Sequence, residues 1–298
     1  MPVKPVCAPT TPARYPCERM PRTVPTKRPP RLGAVTVYSD LLRYRELFAN
    51  LFRRDFQAKY RGSVLGILWS LINPLALMGV YLVLATLLWK NDIPHYPIYL
   101  LAGLTCWLFF ATSLQVAARS LLDSAELIRK VRFPRQLVAF SVVATQLVTF
   151  AVMLAILVVL SLAFIPAARS TVWLAVPLAA LFVGLVAGVS LLVACVNVLF
   201  RDVEHILSAV LLPWFFLTPI LWSFASVGTR LQAHHKLSDL LRWGNFLAPP
   251  VYAVRDPLWL GRAPRVADVV YLGVAAAVAL AVGALAFARL DDRIAVEL

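Results

Sequence analysis

The chain has 298 residues, of which 60% are hydrophobic, and its mean hydropathy is +0.76. This apolar share excludes an ordinary soluble domain, in which apolar residues make up nearer half of the chain. The net charge of +14 is typical of proteins that bind nucleic acid or anionic lipid, so the placement of the basic residues has to distinguish these partners.

Six apolar stretches predict six transmembrane helices in an all-α integral membrane protein. A helix needs about 20 apolar residues to cross a membrane, and lipid otherwise admits only closed barrels, whose strands are much shorter. Apart from Asp268 at the edge of the last one, the stretches contain no Lys, Arg, Asp or Glu. Because ion-driven transporters keep such groups inside the membrane, we expect any transport to be driven by another subunit. The stretches are 66–89, 98–118, 137–163, 172–199, 206–222 and 267–288.

The basic residues collect on one side of this topology. Of the 29, 21 lie in the N-terminal 65 residues, the 119–136 loop, the 200–205 loop and the C-terminus. The positive-inside rule makes this side cytoplasmic, with both termini inside, and it assigns the charge to topology and anionic lipid rather than to nucleic acid. The proline-rich residues 1–35 are predicted to be a disordered cytoplasmic tail before a transmembrane domain over 36–298.

An amphipathic helix is predicted over 40–61, ahead of the first span. Apolar and polar residues recur there at spacings of three and four, which place the two sets on opposite helical faces. Aromatic rings on one face and arginines on the other are typical of a helix lying in the headgroup plane, although a soluble packed helix gives the same pattern. The apolar set is Leu41, Tyr44, Phe48, Phe52, Phe56 and Tyr60, and the polar set is Arg43, Glu46, Asn50, Arg53 and Gln57.

Prolines interrupt two of the predicted spans. Asn73-Pro74 lies about two turns into the first span, and Pro213 and Pro219 lie in the fifth. Proline removes a backbone donor and clashes with the preceding turn, so we expect a kink or a break at Pro74. Such a break is either harmless or lines a pathway, whereas a span interrupted twice is better suited to lining a cavity.

A short cytoplasmic helix is predicted over 124–131, between the second and third spans. Phe133-Pro134 ends it, because the residue before a proline avoids helical angles. Apolar Leu127, Ile128 and Val131 stand among basic residues, which favours a docking surface over a plain topology signal.

Two more polar segments complete the chain. Arg201 and Asp202 follow the fourth span, and we expect them at the cytoplasmic interface, where the arginine can reach headgroups. The 223–266 segment is long for a loop, and its patterns predict two short helices folded back at the outer face.

Catalytic and nucleotide-binding motifs are absent from the sequence. No Gly-x-x-x-x-Gly-Lys-Ser/Thr occurs, so the chain has no ordinary phosphate-cradling loop and is not expected to hydrolyse ATP. The four cysteines show no metal-binding spacing. An outer-face membrane transferase that uses Asp239 and Asp256 is kept as an alternative.

A series of motifs then identifies a family. In chain order they are Arg53-Arg54-Asp55 with 59–69 and Asn73-Pro74, then Ile128 to Arg135, Phe200 to Val203, Leu217 to Ile220, and Asn245 to Arg255. The series resembles the transmembrane subunit of a type 2 ABC exporter, of the group that exports lipid-linked polysaccharides such as O-antigen, teichoic acid and cell-wall glycans. One departure is that Asn245 is separated from Pro249, where adjacent Asn-Pro is expected.

The resemblance implies a homodimer in the bacterial cytoplasmic membrane, with two copies of a separate ATPase subunit that bind ATP and Mg²⁺, so that this chain needs no cofactor. The coupling element between the two subunits would be the 124–134 helix. The coupling residues are Glu126, Leu127, Ile128, Arg129, Lys130, Val131, Arg132 and Phe133.

Two substrate-contacting sets follow from the same resemblance. Arg53, Arg54, Lys59 and Arg61 lie where a lipid pyrophosphate would approach, with membrane-surface anchoring as the alternative. Aromatic rings stack on sugars, although they also gather at membrane interfaces. The rings expected to line a glycan channel are Tyr81, Trp214, Phe215, Phe216 and Trp222. An exporter of a small hydrophobic drug or lipid is the second hypothesis.

Overall fold

The computed structural model describes residues 40–41, 43–62, 66–88, 93–131, 133–224 and 239–297, all of which belong to one compact unit. The predicted tail, Arg132 and most of the first predicted outer helix lie outside the described residues.

Helices make up the regular structure of the described residues, and no strand occurs among them. The α-helices are α1 (Arg45–Tyr60), α2 (Trp69–Leu88), α3 (Tyr96–Asp123), α4 (Ala125–Lys130), α5 (Gln136–Phe164), α6 (Val172–Leu199), α7 (Val203–Leu217), α8 (Ala248–Trp259) and α9 (Val266–Glu297). Short 3-10 turns at Gly66–Leu68 and Pro166–Ser170, and a π turn at Leu240–Gly244, connect some of them.

Four of these helices are long and apolar enough to cross a membrane. They are α3, α5, α6 and the Val266–Asp291 part of α9. The first and fifth predicted spans contain shorter apolar helices, Leu71–Ala85 within α2 and Val203–Leu217. The prediction of an all-α membrane fold is confirmed, because every predicted apolar stretch contains a helix.

Proline affects the first and fifth predicted spans differently. Helix α2 continues through Pro74 without a break, because the missing donor affects only one bond near the start of the helix. The predicted fifth span, 206–222, ends early: α7 contains Pro213 but stops at Leu217. Thr218 has extended angles, φ −82° and ψ 134°, as expected for a residue before proline, and 218–222 forms a turn.

Helix α3 forms the centre of the bundle. It is buried along most of its length and contacts α5, α6, α7 and α8. Helix α1 packs on α5, and α4 connects α3 to α5. The 28 residues of α3 separate the α4 end of the bundle from the opposite end by about 40 Å, at a rise of about 1.5 Å per residue.

Helices α6 and α9 approach each other through glycines. A Cβ added at Gly188 would lie 2.4 Å from the Ala279 backbone, and one added at Gly283 would lie 2.5 Å from the Gly188 carbonyl oxygen. Only glycine permits this backbone separation, which is a common way for membrane helices to pack.

Helix α8 is the second predicted outer helix, but it does not lie on a surface. All twelve of its residues are buried, against α3, α6 and α9. The described part of the first predicted outer helix forms the Leu240–Gly244 π turn. The prediction of two helices folded back at the outer face therefore missed that one of them enters the core.

Candidate functional site

Helix α1 is bonded to α5 at the α4 end of the bundle. The Lys59 Nζ donates to Gln146 Oε1 at 2.7 Å and to Thr149 Oγ1 at 3.2 Å. The Ser141 hydroxyl donates to the Asp55 carboxylate at 2.6 Å. The polar side of this end of α1 thus faces hydroxyl and amide groups of α5 as well as its surroundings.

The four basic residues predicted to meet pyrophosphate differ in their surroundings. Arg53 and Arg61 are exposed. Arg54 forms an ion pair with Asp55 at 2.8 Å and donates to Ser124 Oγ at 3.2 Å, so it connects α1 to the residue before α4. Lys59 lies in the wall of a cavity. The four therefore differ in their partners, and their role in binding pyrophosphate stays a prediction.

That cavity, called here the polar cavity, lies between α1, α2, α3 and α5. Its volume is about 500 Å³, which is within the usual range of about 300–1,000 Å³ for ligand pockets. Polar and aromatic side chains line this cavity. They are Asp55, Lys59, Trp69, Asn73, Thr105, Phe109, Thr112, Gln115, Thr145, Gln146, Thr149 and Phe150.

A second cavity, called here the aromatic cavity, lies between α2, α3 and α7. It has a volume of about 310 Å³, and Tyr81, Trp107 and Phe215 line it. The Phe215 ring centroid lies 5.7 Å from that of Tyr81 and 5.5 Å from that of Trp107. Leu108 and Gln115 belong to the walls of both cavities, so the two adjoin at α3.

Of the five aromatic residues predicted to line a channel, only Tyr81 and Phe215 line the aromatic cavity. The Trp214 indole donates to Asn245 Oδ1 at 2.9 Å. Phe216 is half exposed at 50%, and the Trp222 indole donates to its carbonyl oxygen at 3.0 Å. No sequence pattern separates these two groups, because the difference depends on how α2, α7 and the turn after α7 pack around α3.

The coupling residues divide into an exposed face and a packed one. Leu127, Ile128 and Phe133 pack partly against the core cluster around Leu51 and Leu137. Leu127 and Ile128 therefore help to anchor the helix to its own bundle, and the prediction that they also contact a partner stays a prediction. The exposed set, called here the coupling face, is Glu126, Arg129, Lys130 and Val131.

The Arg201-Asp202 turn is exposed at the same end of the bundle. The buried Asn197 holds it, donating from Nδ2 to the Ala118 carbonyl at 2.7 Å and accepting from the Glu204 amide at 3.0 Å. An Arg119–Glu204 ion pair of 2.8 Å adds a second link to α3. Sequence reasoning missed Asn197, whose only signal was an amide at the end of an otherwise apolar stretch.

The opposite end contains a buried cation that sequence reasoning also missed. Arg255 is fully buried in α8. Its guanidinium carbon lies 3.8 Å from the ring centroid of Tyr99 and 4.2 Å from that of Tyr252, within the range of a cation–π contact. Its Nη1 donates to the Pro219 carbonyl at 2.8 Å.

The turn after α7 is held by side chains from several elements. The Tyr96 hydroxyl donates to the Leu221 carbonyl and the Tyr99 hydroxyl to that of Pro219, each at 3.0 Å. Asn245 Nδ2 donates to Thr218 Oγ1 at 3.0 Å. Together with Arg255, these bonds join α3, α8 and the end of α7 into one unit.

Asp256, one of the two carboxylates of the transferase alternative, is also buried. Its carboxylate is 3% exposed and lies 3.8 Å from the Arg262 guanidinium. Burial raises the pKa of Asp256 above the ordinary value of a carboxyl group. Asp239, by contrast, is exposed.

The chain is similar to known proteins over most of its length. The family model described as ABC-2 type transporter matches residues 46–255. The O-antigen export system permease protein RfbA of Myxococcus xanthus is 36% identical over 196 residues, which cover 65% of this chain and 74% of that protein. Two Klebsiella pneumoniae proteins of the same name are 32% and 31% identical, over 60% of this chain and 69% of their own length.

Proposed function

The chain belongs to the ABC-2 type transporter family, and on that premise we propose that it is the permease of an ATP-driven exporter that moves a lipid-linked polysaccharide across the cytoplasmic membrane. The observation that carries this proposal is the similarity to three proteins named as O-antigen export permeases. The polar and aromatic cavities, which adjoin inside one bundle, support a substrate with both polar and flat-faced parts.

The energy comes from a separate ATPase subunit, because the sequence has no phosphate-cradling loop. ATP and Mg²⁺ belong to that subunit. It docks against the coupling face and the Arg201-Asp202 turn, which are exposed at one end of the bundle. The packing of Leu127 and Ile128 on the core lets α4 transmit a push from the ATPase into α3 and α5. This end is cytoplasmic by the positive-inside rule.

Two copies of the chain form the conduit. Helices α2 and α7 both pack on α3, and the aromatic cavity between α2 and α7 is open on one side. Apolar side chains project from both helices, among them Val80 and Val83 of α2 and Leu212 of α7. A second copy facing this surface would cover those side chains and enclose the space between the two α3 helices.

The exposed Arg53 and Arg61 attract the lipid pyrophosphate to the surface, since guanidinium groups match phosphate geometry. Lys59, one turn further along the same helix from Asp55, stands at the polar cavity. The proposed order is therefore capture at α1 followed by movement into the bundle.

The two alternatives receive less support. A drug or lipid exporter of the same architecture does not account for the names of the relatives. A transferase needs accessible carboxylates, whereas Asp256 is buried beside Arg262.

Deletion of the gene in its own bacterium tests the substrate class. We expect surface glycan to disappear and the lipid-linked glycan to accumulate at the cytoplasmic face of the membrane, with both effects reversed by the wild-type chain. Drug susceptibility, measured in parallel, should change no more than in a strain that lacks the glycan for another reason. Normal surface glycan together with hypersensitivity to hydrophobic drugs would replace the proposal with the drug exporter.

A further inference from the structure

Three of the hydroxyl groups that line the polar cavity donate their protons to backbone carbonyls of their own helices. Thr105 Oγ1 donates to the Leu101 carbonyl at 2.7 Å, Thr112 Oγ1 to that of Leu108 at 2.6 Å, and Thr145 Oγ1 to that of Ser141 at 3.0 Å. A hydroxyl group has one donor and two acceptor lone pairs. These three groups therefore offer the cavity acceptors and no donors.

At these three positions a ligand has to bring its own hydrogen-bond donors, whereas the Asn73, Gln115 and Gln146 amides elsewhere in the wall can also donate. The three threonines stand on two walls, Thr105 and Thr112 on α3 and Thr145 on α5. The two on α3 are seven residues apart, or about 10 Å along the helix. Acceptors spread over this distance and over two helices match a ring with several hydroxyl groups better than a single donor group.

The cation in the wall retains a donor for an anion. An ammonium group has three N–H donors, and Lys59 uses two of them, toward Gln146 and Thr149. In the described residues Lys59 forms no ion pair, whereas the other charged group of the wall, Asp55, is paired with Arg54. The Lys59 ammonium also lies 5.3 Å from the centroid of the Tyr60 ring, so its charge is compensated by neutral dipoles and an aromatic face rather than by a carboxylate.

Aromatic surface completes the wall. Trp69, which is 57% exposed, stands on α2 and Phe109 and Phe150 stand on α3 and α5. Indole and phenyl faces pack on the apolar faces of sugar rings. The cavity therefore combines a cation at its α1 side, hydroxyl acceptors along its walls and aromatic faces.

We propose that the polar cavity binds the lipid-proximal sugar phosphate of the substrate, with Lys59 on the phosphate and Thr105, Thr112 and Thr145 accepting from sugar hydroxyl groups. The proposal rests on the proposed export function and adds to it a site within one copy of the chain. It assigns discrimination for a sugar-bearing headgroup to the threonines, and attraction for phosphate, with or without a sugar, to Lys59.

Binding to the purified chain in neutral phosphatidylcholine nanodiscs tests this assignment. The probes are farnesyl diphosphate carrying one N-acetylglucosamine and farnesyl diphosphate without a sugar. Thr105→Val with Thr112→Val keeps the side-chain shape and removes two acceptors, which we expect to weaken binding of the sugar probe about tenfold or more. Binding of the bare diphosphate should change by less than about twofold. Lys59→Gln should weaken both probes about equally.

Two further variants distinguish a loss of binding caused by the cavity wall from one caused by misfolding. Thr145→Val changes the opposite wall by a single substitution and should weaken the sugar probe about threefold to tenfold. Ser113→Ala removes a buried hydroxyl from α3 that does not line the cavity, and it should change neither affinity.

Three results would overturn the proposal. One is equal binding of the two probes by the wild-type chain. Another is normal binding of the sugar probe by both valine variants. The third is competition by phosphatidylglycerol as strong as that by the sugar probe, which would make the cavity an ordinary phospholipid site. If any of these occurs while the wild-type chain restores surface glycan in the deletion strain, the cavity assignment fails and the proposed export function stands.

Discussion

Arg255 holds several elements together at the end of the bundle opposite α4. Its guanidinium is stacked by Tyr99 and Tyr252 and bonded to Pro219. Burying a charge is costly unless partners compensate it. Here two aromatic faces and one carbonyl do so in part, while Nε and Nη2 make no hydrogen bond to the described residues. Arginine suits this role because its planar group stacks, which a lysine ammonium does not. The residue therefore connects the turn after α7 to the core.

Arg255→Ala should destabilise the fold. The substitution removes two ring contacts and leaves the Pro219 carbonyl with one donor fewer, so we expect the free energy of unfolding to fall by about 2–4 kcal/mol. Arg255→Lys keeps the charge and should lose roughly half as much. Equilibrium denaturation in mixed micelles measures both. Arg265→Ala, at an exposed position, is the control and should stay within about 0.5 kcal/mol. An Arg255→Ala protein as stable as this control would show that the stacking contributes nothing.

At the scale of the helix pair, α6 and α9 depend on Gly188. Because an added Cβ would overlap the Ala279 backbone, Gly188→Ala has to push the two helices apart. We expect a loss of about 1–3 kcal/mol, the usual cost of overpacking, seen as a lower denaturation midpoint. Gly273→Ala lies on α9 with nothing within 4 Å of its added Cβ, and this matched variant should be neutral. Equal effects of the two would indicate that the helices are not in close contact.

Helix α4 makes a separate prediction about coupling. Arg129→Glu with Lys130→Glu reverses the charge of the coupling face without touching Leu127 or Ile128, which pack on the core. We expect the chain to insert normally and to lose its ability to stimulate the ATPase subunit, by about tenfold or more if two charged contacts are lost. Pull-down and ATP hydrolysis in detergent measure the two effects. Arg169→Glu, exposed at the opposite end, should leave both unchanged, and normal stimulation by the double variant would exclude the coupling face.

The elements that the sequence predicted well are those that one-dimensional patterns determine. Apolar stretches predicted a helix at each span, and the spacing of polar residues placed Arg53 and Gln57 on the exposed side of α1. Helix α4 begins and ends within one residue of the 124–131 prediction. These features need no knowledge of neighbours, because lipid requires helices and proline limits them.

The features that were missed depend on contacts between distant segments. The pattern of a helix with Arg255 and Asp256 predicts a surface helix, and its burial depends on the Tyr99 and Tyr252 rings and the Pro219 carbonyl. The partial packing of Ile128 against its own bundle was not expected either. The threonine wall of the polar cavity was missed because threonines in an apolar stretch usually bond only to their own helix. Which face they share with Lys59 depends on the packing of α1 on α5.

At the scale of the whole molecule, the two cavities suggest two different functions in transport. The polar cavity lies nearer the α4 end and includes Lys59 in its wall. The aromatic cavity adjoins the polar cavity, where α2 and α7 pack on α3. A headgroup bound at α1 would have to move only a short lateral distance to reach the face where a second copy of the chain is proposed. The opposite end is closed within each copy by α8 and the turn after α7. Export would then require movement of this end, driven from the coupling face.

The central claim is that the chain is a conduit which a separate ATPase subunit drives. Transport of a fluorescent lipid-linked oligosaccharide into the lumen of proteoliposomes tests it, with the chain reconstituted alone, with the ATPase subunit, and with an ATPase variant that binds but does not hydrolyse ATP. The account predicts transport only in the second case and only with ATP. Transport by the chain alone, whether with ATP or with a proton gradient, would contradict it.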